Sequence, residues 1–204
     1  MKSVLITGGI GSGKSHICRL FEKYGVPVLN FDGEAKTVMH DSVVVYKMRK
    51  LFGDDIYKNS TLDTSKLGKI IFNDDSKRVQ IENLIKPELM KIFYNECYKY
   101  EYEDPRPLFL AESASIIKKD SHTFKNIFDR IIIIDAKLEK RKEMVMTYRH
   151  MSEEDFMLRV SKQPDINEIE NILIRSGAKY TVFENHYTDE RAEKFVLDYI
   201  NYNI

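Results

Sequence analysis

The chain has 204 residues, 43% of them hydrophobic and 31% charged, a balance that belongs to ordinary globular proteins and excludes a disordered or fibrous chain. Its 32 basic and 32 acidic residues cancel, so the broad basic excess of a nucleic-acid-binding protein is absent, while a local site for a small anion stays open. The longest apolar runs, such as 131–134, fall far short of the roughly 20 residues that cross a bilayer.

The first residues run straight into glycines without an apolar leader. The two cysteines, Cys18 and Cys97, suit neither a disulfide framework nor a metal site. The expectation is a cytoplasmic protein with no membrane or nucleic-acid partner and no obligate protein partner.

In chain order, Val4-Leu5-Ile6 predicts a buried strand entering a glycine loop. Ile17, Leu20 and Phe21 fall at helical spacing and predict a helix over Lys14 to Tyr24, stopped by Gly25. Val26 to Leu29 then reads as a second strand. From about Gly33 to Tyr102 the pattern is mostly helical, with amphipathic segments at Val43 to Phe52, Ser65 to Phe72 and Ser76 to Tyr100. Gly53, the polar tract Lys58 to Thr61, and Pro87 interrupt it, and Pro87 predicts a helix boundary or kink.

Strands resume at Pro107 to Ala111 and Arg130 to Asp135, each built on a continuous apolar run, as for strands covered on two faces. A charged helix follows from Lys137, then a strand at Tyr180 to Phe183 and a helix over Asp189 to Ile200. The fold class is therefore α/β, a parallel sheet flanked by helices. A nucleotide-binding core of about residues 1–32 and 103–204 carries a helical insertion of about 33–102 as one folding unit.

Gly8-Gly9-Ile10-Gly11-Ser12-Gly13-Lys14-Ser15 matches the phosphate-loop pattern in full. A chain of this length produces that pattern by chance roughly once in a hundred. Glycines allow the backbone to turn its N–H groups on one anion, and the following helix presents its N-terminus to the same charge. Lys14 supplies a cation for the β- and γ-phosphates, and Ser15 a hydroxyl for Mg²⁺.

Asp32 lies just past the second strand, where open α/β folds bind ligands. It suits a general base or metal contact, and equally an N-cap for the next helix. Asp135 precedes the charged helix and reads first as its cap. Glu112 has no capping reason and is the better magnesium or substrate contact. Of the basic stretch Lys137, Lys140, Arg141, Lys142, Arg149 and His150, most reads as a solvated face. Arg149, beside the polar segment His150 to Glu154, is the candidate lid arginine over the transferring phosphoryl group.

The chain resembles the dephospho-CoA kinase family over nearly its whole length. The likeness is carried by Leu5 to Ser15, by Val28-Leu29-Asn30-Phe31-Asp32, and by Leu51-Phe52-Gly53, Leu62-Asp63, Leu67, Ile71-Phe72, Asp74 and Ile81-Glu82. Arg159, Gln163 and Phe183-Glu184-Asn185 continue it. Departures are Asn30 for an aspartate, His16 for a threonine, Lys86 for a histidine before Pro87, Glu112 for an aspartate, Ala114 for a proline, and Met144 and Tyr148 for arginines.

The resemblance implies a P-loop kinase fold with a helical substrate-binding insertion and a lid at about 145–164. It implies transfer of the γ-phosphoryl group of ATP to the ribose 3′-hydroxyl of dephospho-CoA, with Mg²⁺ and with Asp32 and Lys14 catalytic. ATP would be bound by Gly9, Gly11, Ser12, Gly13, Lys14, Ser15 and His16. Another P-loop kinase of nucleotides or sugars, or a non-catalytic nucleotide-binding module, are the alternatives.

Overall fold

The computed structural model of the protein describes residues 1–58, 61–117 and 126–203. The chain divides into two compact units, residues 1–30 with 97–204, and residues 31–96.

The larger unit is built on five parallel strands, β1 (Lys2–Thr7), β2 (Val28–Asn30), β5 (Leu108–Glu112), β6 (Arg130–Asp135) and β7 (Tyr180–Glu184), in the order β2-β5-β1-β6-β7. Strand β1 is central, with Ile6 beside Glu112 on one flank and Ile132 on the other. Burial explains the apolar runs: Val4, Leu5, Ile6, Leu108, Phe109, Leu110 and Ile131 to Ile134 are all inside, whichever face they point to. On one face, Val4, Ile6, Leu110, Ile132 and Ile134 pack with Ile17 and Phe21 of helix α1 (Lys14–Lys23) and with Val196 and Ile200 of α9 (Asp189–Asn203).

Three helices stand between β6 and β7: α6 (Leu138–Arg149), α7 (Glu153–Ser161) and α8 (Ile166–Ser176). Their ends follow local chemistry. Ser152 accepts from the Asp155 amide to cap α7; Asp165 and Glu168 form a reciprocal capping box on α8, which stops at left-handed Gly177. Asp135 does not cap α6: the residue before that helix is Lys137, which makes no side-chain cap bond. Asp135 instead ends β6 in register with Glu184, ahead of the cap position that Lys137 occupies.

The smaller unit holds α2 (Phe31–Val38), α3 (Ser42–Phe52), α4 (Thr64–Asn73) and most of α5 (Asp75–Tyr98). Val44, Met48, Ile56, Leu62, Leu67, Ile81 and Ile85 form its core. Two features differ from the sequence pattern. The polar tract at 58–61 is part of a small antiparallel pair, β3 (Tyr57–Lys58) with β4 (Thr61–Leu62), with residues 59 and 60 outside the described residues. Helix α5 runs through Pro87 without a boundary. A proline removes one backbone bond, and burial of Ile81, Ile85 and Phe93 on the two sides of it outweighs that loss.

Phe21 is fully buried and meets the Tyr199 ring edge-on at 5.8 Å. Phe21→Ala is expected to lower the unfolding free energy by about 3–5 kcal/mol, read by urea titration.

Candidate active site

The phosphate loop joins β1 to α1, and its order is visible bond by bond. Gly8 starts it at φ 144°, against the end of β6: a Cβ there would come 2.1 Å from the Ile134 carbonyl oxygen. Only glycine fits both the backbone angle and that approach. Gly13 ends it in the left-handed region and stands before α1 without any side-chain cap, so the first amides of that helix keep their need for an acceptor.

Every carbonyl from Gly8 to Ser12 accepts a hydrogen bond from a side chain. The Lys14 ammonium donates to Gly8 O at 2.8 Å and Gly9 O at 3.2 Å. Arg141 Nε donates to Ile10 O at 2.8 Å, Tyr187 Oη to Gly11 O at 2.7 Å, and Asn185 Nδ2 to Ser12 O at 2.8 Å. In a trans peptide the next N–H points opposite the carbonyl. Holding the Ile10 and Ser12 carbonyls outward therefore turns the Gly11 and Gly13 amides to the other side, where backbone N–H groups make an anion nest. The Ile10 amide donates to Gln163 Oε1 at 2.8 Å, and the Ile10 side chain lies in an apolar cluster with Val145 and Phe156.

Beneath the loop, Ser15 Oγ donates to Glu112 Oε1 at 3.1 Å. Glu112 ends β5 and is buried. The buried Cys18 thiol sits beside it, its pKa pushed up by burial first and by the Glu112 carboxylate second. A hydroxyl and a buried carboxylate are hard oxygen donors of the kind a divalent cation takes.

The other expected residues lie further out. His16 Nε2 is 3.2 Å from Asp189 Oδ1, with the imidazole partly exposed. Asp32 is the second residue of α2 and exposed; lying inside the helix, it is not the N-cap. Arg149 is the last residue of α6 and exposed. The structure thus brings Gly9, Gly11, Ser12, Gly13, Lys14, Ser15 and Glu112 together, and leaves His16 and Arg149 at the margin of the larger unit.

Arg141 departs from the solvated-face reading, because it turns inward onto the loop. Asn185 and Gln163 carry a likeness in sequence but no role there, and Tyr187 carries no signal at all. Tyr187 adopts φ 59°, a conformation rare for a bulky residue. Its amide donates to Asn185 Oδ1 at 2.8 Å and its hydroxyl to the loop, bonds that hold it in this costly geometry.

A family model for dephospho-CoA kinase matches residues 3–174. The chain belongs to the dephospho-CoA kinase family. It is 34% identical over 183 residues to the dephospho-CoA kinase of Porphyromonas gingivalis, covering 89% of this chain and 85% of that one. A crystal structure of a Thermus thermophilus protein superposes with a TM-score of 0.82 at 24% identity, over 100% of this chain and 97% of its own. The dephospho-CoA kinase of Campylobacter jejuni gives a TM-score of 0.65 at 19% identity, over 99% and 98% of the two chains. The fold is thereby that of the P-loop kinases. No helix among the described residues is long and apolar enough to cross a membrane.

Burial raises the Tyr187 phenol from 10.0 to about 12, the largest cause being desolvation. The neutral hydroxyl is the form that donates to Gly11 O, so its stabilisation is complete below pH 10 and is lost as pH rises through about 12. Comparing urea unfolding of the parent with Tyr187→Phe should give a constant difference below pH 10 that narrows above it.

Proposed function

We propose that this chain transfers the γ-phosphoryl group of ATP to the ribose 3′-hydroxyl of dephospho-CoA, giving CoA and ADP, the last step of coenzyme A synthesis. The observation that carries the reading is the phosphate loop with all five carbonyls from Gly8 to Ser12 held by side chains, on a chain of the dephospho-CoA kinase family.

The roles follow from the chemistry of each group. The loop amides and the uncapped start of α1 take the phosphates, through Gly9, Gly11, Ser12, Gly13, Lys14, Ser15 and His16. Lys14 exchanges its bonds to Gly8 and Gly9 for phosphate oxygens at no cost in new geometry, because its amine is already held at the loop. Mg²⁺ would be held by Ser15 with Glu112 behind it, and would neutralise charge on the β- and γ-phosphates when bound. Among the described residues no three His, Cys, Asp or Glu side chains come together as a metal cluster. That fits an ion that keeps water and phosphate in most of its shell.

Asp32 is the general base that takes the proton of the acceptor hydroxyl. The helical insertion of about residues 33–102 is the region that receives the CoA moiety, and about 145–164 the lid. Arg149 is the lid cation, and closure keeps water from competing with the acceptor. The setting for this activity is the cytoplasm, with no nucleic acid, membrane or obligate protein partner.

A coupled ADP-release assay with ATP, Mg²⁺ and dephospho-CoA, run beside an acceptor-free control and a panel of nucleosides and sugars, tests the reaction. Acceptor-dependent turnover with dephospho-CoA alone is the expected result; turnover only on another acceptor would overturn it. Lys14→Ala should abolish turnover. Asp32→Asn should lower kcat by about 10²–10⁴-fold with ATP affinity nearly unchanged, and wild-type kcat in that variant would remove Asp32 from the base role.

A further inference from the structure

Arg141 is set into the phosphate loop in a way its single hydrogen bond does not explain. It projects from the first half of α6, half-buried, with Nε on the Ile10 carbonyl. Its terminal nitrogens lie over Gly9: a Cβ at that position would come 2.2 Å from Nη2 and 3.0 Å from Nη1. The glycine leaves a slot that the guanidinium fills.

A guanidinium carries five N–H donors, and the bond to Ile10 uses one of them. Among the described residues no carboxylate makes an ion pair with Arg141, and no acceptor is bonded to Nη1 or Nη2. Neighbouring charges on α6 are otherwise engaged: Lys140 pairs with Glu143, and Lys142 with Glu153. Asp135 and Tyr187 act on the guanidinium only through space, and burial draws its pKa down from the usual arginine value. The group remains charged, since an arginine does not lose its proton in a protein. A half-desolvated cation that no carboxylate bonds directly is costly, and the cost is relieved by an anion brought to its Nη groups.

The anion is identified by position. The Lys14 amine, which serves the β- and γ-phosphates, rests on the carbonyls of Gly8 and Gly9, and the Arg141 fork overlies the same Gly9. The helix start at Gly13 to Ser15 lies at the other end of the loop. Planar, paired donors match the oxygens of a phosphoryl group, and a fixed fork loses little freedom on binding one.

We propose that Arg141 is a catalytic residue of this chain, a resident arginine whose Nη groups bind the terminal phosphoryl group of ATP during transfer. The proposal rests on the ATP-dependent reading above. As the acceptor oxygen bonds to the γ-phosphorus, the bond from that phosphorus to the β–γ bridging oxygen breaks. The hydroxyl proton passes to the Asp32 carboxylate and the electron pair stays on ADP. Arg141 meets the non-bridging oxygens throughout and needs no lid movement to arrive, unlike Arg149 at the far end of α6.

Arg141→Gln separates this role from simple pinning of the loop, because glutamine keeps an N–H for Ile10 and loses the charge. Calorimetric titration with ATP and with ADP, each with Mg²⁺, should show ATP binding weakened at least tenfold and ADP binding changed less than threefold. In the acceptor assay kcat should fall at least tenfold, and Arg141→Lys should recover part of both losses. ATP binding equal to the parent, or equal losses for ATP and ADP, would overturn the proposal. The titration needs no acceptor, so a wrong acceptor assignment leaves its outcome readable; failure of the parent to bind ATP would sink both readings.

Discussion

An anion nest exists only if the backbone carbonyls around it are kept out, and that constraint organises the larger unit of this protein. A flexible glycine-rich loop has no reason of its own to hold that orientation, since glycine explores more backbone conformations than any other residue. Here the orientation is imposed from outside. Lys14 holds the first two carbonyls from α1, Arg141 the third from α6, and Tyr187 and Asn185 the fourth and fifth from the segment after β7. Asn185 is itself set by its backbone amide on the Asp135 carbonyl at 2.7 Å. The parallel sheet thus brings three separate pieces of chain to one short loop, and the entropy of ordering it is met by folding rather than by ligand binding.

The same arrangement accounts for the polar groups that the core tolerates. Glu112 is buried at the end of a strand, and such a carboxylate is costly unless it is bonded. The Ser15 hydroxyl and the Cys18 thiol both donate to it. Asp135, on the other side of β1, acts through space on the Arg141 guanidinium. The strand ends therefore carry acidic groups, and the loop between them carries basic ones. That is a charge pattern that suits a polyphosphate.

Much of the fold is legible in sequence because it depends on local periodicity and burial. The runs at Val4 to Ile6, Leu108 to Ala111 and Ile131 to Ile134 are apolar without alternation, and each is a parallel strand covered on both faces. Where a local rule competes with packing, packing prevails: Pro87 lies inside α5, between buried Ile85 and Phe93. Helices α7 and α8 were within reach of sequence, since Ser152 and the pair Asp165 and Glu168 are capping signals of the ordinary kind. The polar surroundings of those residues masked them, because a solvated helix face and a loop have similar composition.

What the sequence by itself determined is the identity of the phosphate loop, the strand that feeds it and the helix that follows it. These all lie between Lys2 and Lys23, and their chemistry is that of near neighbours in the chain. What only the tertiary structure decided is how the loop is held. The donors on Ile10, Gly11 and Ser12 come from 131, 176 and 173 residues away, and the acceptor for the Ile10 amide from 153. No periodicity or spacing encodes such a pairing. Arg141 sits among lysines and glutamates that face water, and nothing in its neighbours along the chain distinguishes it from them. It reaches the loop because α6 packs against it where Gly9 and Gly11 have no side chains, and a glycine's empty space is a property of the folded protein alone.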